Sequence, residues 1–195
     1  MPNWCYTRIR VEDEKKNLEN FKSLVEKWTS HNFGKNDFGL NWLGNIVGNS
    51  KIGTIDTEDE SFLACRGRLL EIEVHDGEMI IDTETAWGPM LKMWAILFEK
   101  YLPDAIFYYA AEEGGTGLYI TDDPLMENKY VIYSDGEDEI EYDSEATEET
   151  VVNILKECLK VKKEISLNNL LTILSEGDFP ISINKWDFIP MAESY

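Results

Sequence analysis

Two stretches of the chain decide its fold: MPNWCYTRIRVE at residues 1–12 and WGPMLKMWAILFEKYLPDAIFYYAAEEGGTGLYI at residues 87–120. In the first, aromatic and basic side chains alternate with small or branched ones, which predicts a half-buried strand over residues 3–12. The second holds a helical apolar face over residues 89–101, the apolar run 105–111 and then a glycine-rich turn. We interpret it as a helix, a central strand and that strand's partner.

Two further elements lie between these stretches. After Asp13, a candidate cap, apolar residues recur at spacings of three and four and predict a helix that ends near His31–Gly34. Residues 67–85 form two alternating runs around Asp76-Gly77, a pair that favours a tight hairpin turn. The order is then β-α-β-β-α-β with one added strand, and short connections place both helices on one face of an antiparallel sheet. The prediction is an α+β fold, specifically a ferredoxin-like sandwich.

The rest of the chain divides into an insertion and an extension. Residues 34–62 are rich in Gly and Asn, and we expect a long excursion with one short helix around 41–48, of a size that is often functional. The sequence thus predicts a ferredoxin-like domain at 1–123 with this insertion, and a mainly helical extension at 124–195 packed on it. The extension is expected to hold an acidic loop at 135–149, two helices and an apolar tail.

Several motifs resemble one known family. These are PNWC at residues 2–5, Trp87-Gly88-Pro89 before the second helix, and the pair Glu113–Gly114 after the aromatic strand. They are similar to the ferredoxin-like domain of the YubB family, over roughly residues 1–123. The resemblance implies the fold and an origin on a phage or conjugative plasmid, and it implies no established activity or catalytic residues. The insertion and the acidic segment are particular to this chain.

The charge of the chain restricts its partners. It has 195 residues, of which 38 are acidic and 18 are Lys or Arg, for a formal net charge of −20. Such a field repels phosphate backbones and anionic lipid, so direct binding to nucleic acid or membrane is disfavoured. The acids are densest at 135–149, which is either a solvated loop or a surface for a basic host protein. The candidate interaction residues are Asp135, Glu137, Asp138, Glu139, Glu141, Asp143 and Glu145.

Cysteine usage favours a cytoplasmic setting. Cys5, Cys65 and Cys158 are odd in number and far apart, unlike a disulfide framework or a paired-cysteine zinc site. No signal-peptide pattern or membrane-length apolar run is visible. The two histidines are far apart and no phosphate-binding glycine motif is present, so the sequence predicts no metal and no cofactor.

Carboxylate pairs at strand ends are the remaining candidates for chemistry. Glu112 and Glu113 end the central strand, and Asp122–Asp123 follow its partner, so these groups can share a proton or hold a divalent ion. None of them is assigned a catalytic role. A candidate pocket is assigned to Trp4, Trp87, Glu112, Glu113 and Gly114.

Three functions are compatible with these observations. A non-enzymatic protein-interaction module of a mobile element is favoured, because the family resemblance comes without any catalytic motif. One alternative is an acidic DNA mimic that inhibits a host DNA-binding or restriction protein, which requires carboxylates at phosphate-like spacing on one face. The other is an enzyme that uses clustered carboxylates with a divalent metal. The sequence leaves the partner's identity and the oligomeric state open.

Overall fold

The computed structural model describes residues 3–135, 140–163, 165–177 and 179–191. Over these residues the protein has a mixed α+β structure with five helices and two sheets. The chain forms two compact units: one runs up to Asp122 and takes in the residues from Ile189 onward, and the other spans Asp123–Phe188. No helix in the described ranges is long and apolar enough to cross a membrane.

The first unit combines one antiparallel sheet with three helices. Its strands lie in the order β2-β3-β1-β4-β5, and each neighbouring pair is antiparallel. In chain order its elements are β1 (Trp4–Glu12), α1 (Lys15–Thr29), α2 (Leu43–Ser50), β2 (Gly67–His75), β3 (Glu78–Ala86), α3 (Leu91–Tyr101), β4 (Ile106–Glu113) and β5 (Leu118–Thr121).

Two local predictions in this unit are confirmed. The hairpin between β2 and β3 turns at Asp76 and Gly77, whose φ angles of 39° and 92° belong to the two-residue turns that match strand twist. The short helix expected around 41–48 is α2, which begins at Leu43 and ends at Ser50.

The core of the first unit lies on one face of the sheet. Alternate side chains of β1 are buried there with the apolar faces of α1 and α3, which removes their apolar surface from water. Phe21 of α1 and Phe98 of α3 meet with 5.6 Å between ring centroids. The other parity of β1 lies on the opposite face, which we call the open face; its residues there include Trp4, Tyr6, Arg8 and Arg10.

The second unit has its own sheet and its own core. Strand β6 pairs with β7 on one side and β8 on the other, all antiparallel. Val151, Leu155 and Leu170 of its two helices are buried with Tyr130 and Ile132 of β6. Its elements are a 3-10 turn (Pro124–Met126), β6 (Tyr130–Asp135), β7 (Ile140–Ala146), α4 (Glu148–Cys158), α5 (Leu167–Glu176), β8 (Ile181–Lys185) and β9 (Asp187–Phe188).

The extension is therefore not mainly helical, and its acidic run is not one loop. The two predicted helices are present as α4 and α5, but four strands, β6 to β9, accompany them. Residues 140–146 carry acids at every second position, IEYDSEA, and a period of two suits a strand that pairs on one edge. The density of charge alone predicts a loop, whereas the alternation of acidic and non-acidic residues is typical of a strand, as observed in β7.

The apolar tail also departs from the predicted division of the chain. Ile189 donates its N–H to the Thr121 carbonyl at 2.8 Å and accepts from the Tyr109 hydroxyl at 2.8 Å. Met191 is buried in the core of the first unit. These contacts assign residues 189–191 to the first unit, although the sequence places them in the extension.

Candidate functional site

A cavity of about 600 Å³ lies in the first unit beside the edge strand β2. Its walls come from the start of β1, from the segment that enters β2, and from the insertion at 34–62. The lining is mostly apolar and aromatic, as in ligand pockets generally. The lining includes Trp4, Phe38, Trp42, Phe62, Cys65 and Arg66.

The Trp42 wall of the cavity is fixed by its backbone and by a glycine. The neighbouring Asn41 carbonyl accepts a hydrogen bond from the Leu69 N–H at 2.8 Å, and Trp42 forms an isolated bridge with Arg68. This attaches the insertion to the edge of β2. The Trp42 indole lies over the first turn of α2, where a Cβ on Gly44 would overlap its ring. Glycine at this position is what lets the indole form the wall.

The loop that carries Phe38 is held by one buried side chain. Asn45 of α2 accepts from the Phe33 N–H at 2.8 Å and donates to the carbonyls of Gly39 and Leu40, both at 2.9 Å. A buried amide with several backbone partners fixes the loop, since each lost bond would leave a desolvated group. Phe38 is thereby placed against Trp42, with 4.8 Å between ring centroids.

Large apolar side chains are exposed around this cavity. Trp4 is 51% exposed, Phe38 71% and Phe62 36%. Single exposed apolar residues are ordinary, but several that share one concavity are typical of a binding site. The aromatic cavity, defined by Trp4, Phe38, Trp42 and Phe62, is therefore our candidate functional site.

Ion pairs occupy three arginines on the open face. Arg8 donates from Nε and Nη2 to the two carboxylate oxygens of Asp82, both at 2.9 Å. Arg68 binds Glu84 at 2.7 Å, and Arg10 pairs with Glu12 and lies over the ring of Tyr108. These guanidinium groups are committed to neighbours within the unit, which leaves little positive charge on this face for a phosphate backbone.

Arg66 differs from the other three arginines. It is exposed, it lines the aromatic cavity, and within the described part of the chain its guanidinium has no hydrogen bond or ion pair. Among the described residues, the cavity therefore combines aromatic walls with one cation that has no ion pair. A guanidinium in this state has all five N–H donors free for an anion.

The cysteine of the cavity is a neutral thiol. Burial raises the pKa of Cys65 to about 11. The thiolate is the nucleophilic form, so at neutral pH this side chain is unreactive. Cys5, in the core, has a pKa of about 11 for the same reason, with Glu113 adding to the rise and the hydrogen bond with Thr7 opposing it.

The five residues assigned to a pocket from sequence come to the same end of the sheet but do not form one site. Trp4 lines the aromatic cavity, whereas Trp87 is exposed at φ 70° and donates its backbone N–H to the Asn3 carbonyl.

Glu112 lies opposite Tyr6 in the sheet. Glu113 faces the core and is 4% exposed, and Gly114 follows in the turn. Adjacent positions on a strand point to opposite faces, which separates the two glutamates.

The carboxylates considered for catalysis hold backbone groups instead. Asp122 accepts from the Tyr109 N–H at 2.8 Å and from the Met191 N–H at 3.1 Å. Asp123 accepts from the Leu125 N–H at 2.9 Å and caps the 3-10 turn. Among the residues that the structure describes, no cluster of three or more His, Cys, Asp or Glu side chains is placed to hold a metal.

The candidate residues of the acidic run are only partly described. Asp143 and Glu145 are exposed on β7, and the Asp143 carboxylate accepts from the Glu145 N–H at 2.8 Å. Asp135 and Glu141 lie within the paired strands β6 and β7. Glu137, Asp138 and Glu139 lie outside the described residues.

The sequence did not reveal most of the aromatic cavity. The apolar residues of the insertion were visible as anchors, but nothing in their spacing showed that Phe38 and Phe62 would stay exposed beside Arg66. Comparison with known proteins supplies no further guidance, because no family model, curated protein or solved structure matches the chain.

Proposed function

We propose that the protein is a non-enzymatic interaction module that contacts a protein partner at the aromatic cavity. The observation that carries this proposal is the group of exposed aromatic side chains around a built concavity. Exposed aromatics held by a rigid scaffold are typical contact residues, because they bury a large area at little entropic cost. Trp42 and the Phe38 loop are fixed in this way by Gly44 and Asn45.

We also infer that the first unit is a ferredoxin-like sandwich of the YubB-like kind, with the mobile-element origin that this resemblance implies. The strand order β2-β3-β1-β4 supports the inference, together with helices α1 and α3 in the connections β1-α1-β2 and β3-α3-β4. Strand β5 and the insertion are additions to that plan. The insertion supplies Phe38, Trp42 and Phe62, so the binding surface would be particular to this chain.

Binding accounts for the cavity better than catalysis does. Its thiol is protonated at neutral pH, and its charged lining residues are guanidinium groups, which neither accept nor donate a proton in this range. General acid–base chemistry needs a group that titrates near the working pH. Fixed charge and aromatic surface are instead the means of recognition.

The proposal is tested by comparing two alanine variants in a capture experiment with host lysate. Phe38→Ala removes the most exposed aromatic of the cavity. Leu125→Ala is the matched control, because Leu125 is similarly exposed, at 66%, but belongs to the second unit. Truncation at an exposed position should leave stability within roughly 0.5 kcal/mol in both.

We expect a defined partner to be retained by the wild type and by Leu125→Ala and to be lost, at least tenfold, from Phe38→Ala. Reintroducing an aromatic ring with Phe38→Tyr should restore it. The proposal is wrong if the retained proteins are the same for all three variants, or if Leu125→Ala alone abolishes retention.

A further inference from the structure

We propose that the partner segment carries an aromatic side chain next to a carboxylate, and that Arg66 receives this carboxylate at the aromatic cavity. This inference rests on the proposed function and specifies the chemistry of the partner. Its basis is a single juxtaposition: Arg66, whose guanidinium has no hydrogen bond or ion pair to any described residue, lines the same cavity as the exposed aromatic rings.

The state of Arg66 is unusual for this chain. With 38 acidic residues against 18 basic ones, carboxylates are abundant, and each of Arg8, Arg10 and Arg68 has taken one. Arg66 has taken none from the described residues, although it is exposed. A guanidinium presents paired N–H donors in the geometry of a carboxylate, so it is suited to bind one in two places at once.

The lining of the aromatic cavity argues against a positively charged ligand. Rings such as Trp4, Phe38 and Trp42 attract cations over their faces, and a set of them can enclose a quaternary ammonium group. Here Arg66 lines the cavity as well, whereas the charge of Arg68 is balanced by Glu84, and the Arg66 guanidinium repels a second cation. The rings are then left to pack against an apolar or aromatic side chain.

The size of the cavity fits a short segment of polypeptide. Its volume of about 600 Å³ lies within the range of roughly 300–1,000 Å³ that is usual for ligand pockets. Phe38 and Trp42 are tilted by 44° to each other, and an inserted ring can meet one face and one edge of such a pair. An aromatic residue with an adjacent carboxylate satisfies both halves of the lining.

The test uses two probes that differ only in the anionic group: N-acetyl-phenylalanine and N-acetyl-phenylalaninamide. Their affinities are measured by ligand-observed NMR titration against the full chain and against Arg66→Gln. Lys35→Gln is the matched control, because it removes the same charge from an exposed position of the insertion that does not line the cavity. Thermal unfolding of the free variants shows whether either substitution alters the fold.

We expect the wild type and Lys35→Gln to prefer the acid over the amide by about tenfold, the size of one charge-assisted contact. Arg66→Gln should bind both probes equally, at the affinity of the amide. Phe38→Ala should weaken both probes together.

Two outcomes overturn the inference and are separable from failure of the proposed function. Equal binding of acid and amide by the wild type would show that Arg66 selects no anion, while the aromatic cavity could still bind the captured partner. Absence of binding by either probe would refute an aromatic carboxylate as the recognised group. Loss of the partner from Phe38→Ala in the capture experiment does not depend on either result.

Discussion

The arginines in two regions of the same sheet differ in whether they form an ion pair with a described residue. At the middle of the open face, Arg8 and Asp82 form a two-point ion pair in which the carboxylate is only 10% exposed. At the edge, Arg66 stands beside exposed aromatic rings without a partner in the described residues. The Arg8–Asp82 ion pair links β1 to β3, whereas the guanidinium of Arg66 is available to a ligand.

The difference teaches how to separate structural charge from functional charge in an acidic protein. Removing a guanidinium that pairs with a buried carboxylate leaves a buried charge without its partner, so the removal is costly. A free, solvated guanidinium costs nothing to remove but contributes nothing to the fold. Variants at the two places should therefore affect different measurements, stability at the centre and binding at the edge.

The prediction with the largest expected effect tests whether water is excluded from the cavity wall as fully as from the core. The pKa values of Cys65, in the wall, and Cys5, in the core, are both raised from 9.0 to about 11 by burial. Between these values the folded state keeps protons that the unfolded state has lost. Stability is therefore full below pH 9 and falls as the pH rises through 11, by about 2–3 kcal/mol for each thiol.

Urea unfolding between pH 8 and 11 measures this loss. Cys65→Ala and Cys5→Ala should each flatten the pH dependence by the share of one thiol, although both start from a lower stability. The raised pKa values of Tyr6, Tyr119 and Tyr130 add the same slope above pH 10 in every variant. An unchanged slope in Cys65→Ala would mean that the cavity wall is wet and that its thiol titrates normally.

The next effect, about 2 kcal/mol, separates the two arginines. Arg8→Ala leaves the Asp82 carboxylate largely buried with its main partner removed, which should lower the free energy of unfolding by that amount. Arg66→Ala should change it by less than roughly 0.5 kcal/mol. The double variant Arg8→Ala with Asp82→Asn should recover much of the loss, since the unpaired charge is gone. Comparable losses in the two single variants, measured by urea unfolding, would show that Arg66 contributes to the stability of the fold as much as Arg8 does.

A smaller stability effect, about 1–2 kcal/mol, tests how the aromatic wall is held. A methyl group at Gly44 would overlap the Trp42 ring, and one at Gly48 would overlap the Phe33 ring, and overpacking of this kind is destabilising. Both Gly44→Ala and Gly48→Ala should lose stability. Only Gly44→Ala should also weaken binding of N-acetyl-phenylalanine, because Phe33 does not line the aromatic cavity. Equal binding by both variants would show that the position of Trp42 is irrelevant to recognition.

The sequence predicted the elements of the first unit well because each of them has a local cause. Three features depend only on residues close together in the sequence: the alternation in β1, the Asp76-Gly77 turn and the apolar faces of α1 and α3. Such local patterns can be recognised before the tertiary structure is known. The same reasoning missed β7, where the density of charge hid a period of two. The sequence predicts that residues 189–191 belong to an extension packed on the first domain; the hydrogen bonds of Ile189 to Tyr109 and Thr121, which join positions far apart in the chain, place them within the first unit.

The aromatic cavity was beyond local reasoning for a further reason. Exposure of Phe38 depends on the Asn45 bonds that hold its loop and on the space left by Gly44, and neither is visible as a pattern. The lack of an ion pair between Arg66 and the described residues depends on the folded positions of all nearby carboxylates, which no sequence pattern shows. Trp4, a candidate pocket residue from the sequence, lines the aromatic cavity, but its neighbours there come from the insertion rather than from Trp87 or Glu113.

Glu113 gives the smallest effect, and it extends the contrast to the helix-facing side of the sheet. Its side chain is 4% exposed and its Oε1 has no hydrogen-bond partner in the described residues, so its burial costs free energy that no contact there offsets. Glu113→Gln keeps the shape and removes the charge, and it should raise the free energy of unfolding by about 1 kcal/mol at pH 7. It should also lower the pKa of Cys5, which Glu113 raises. Glu112→Gln, at the half-buried neighbour on the other face, is the control and should do less of both. A loss of stability in Glu113→Gln would mean that this carboxylate is bonded after all, and the contrast with Arg66 would not extend to the helix-facing side of the sheet.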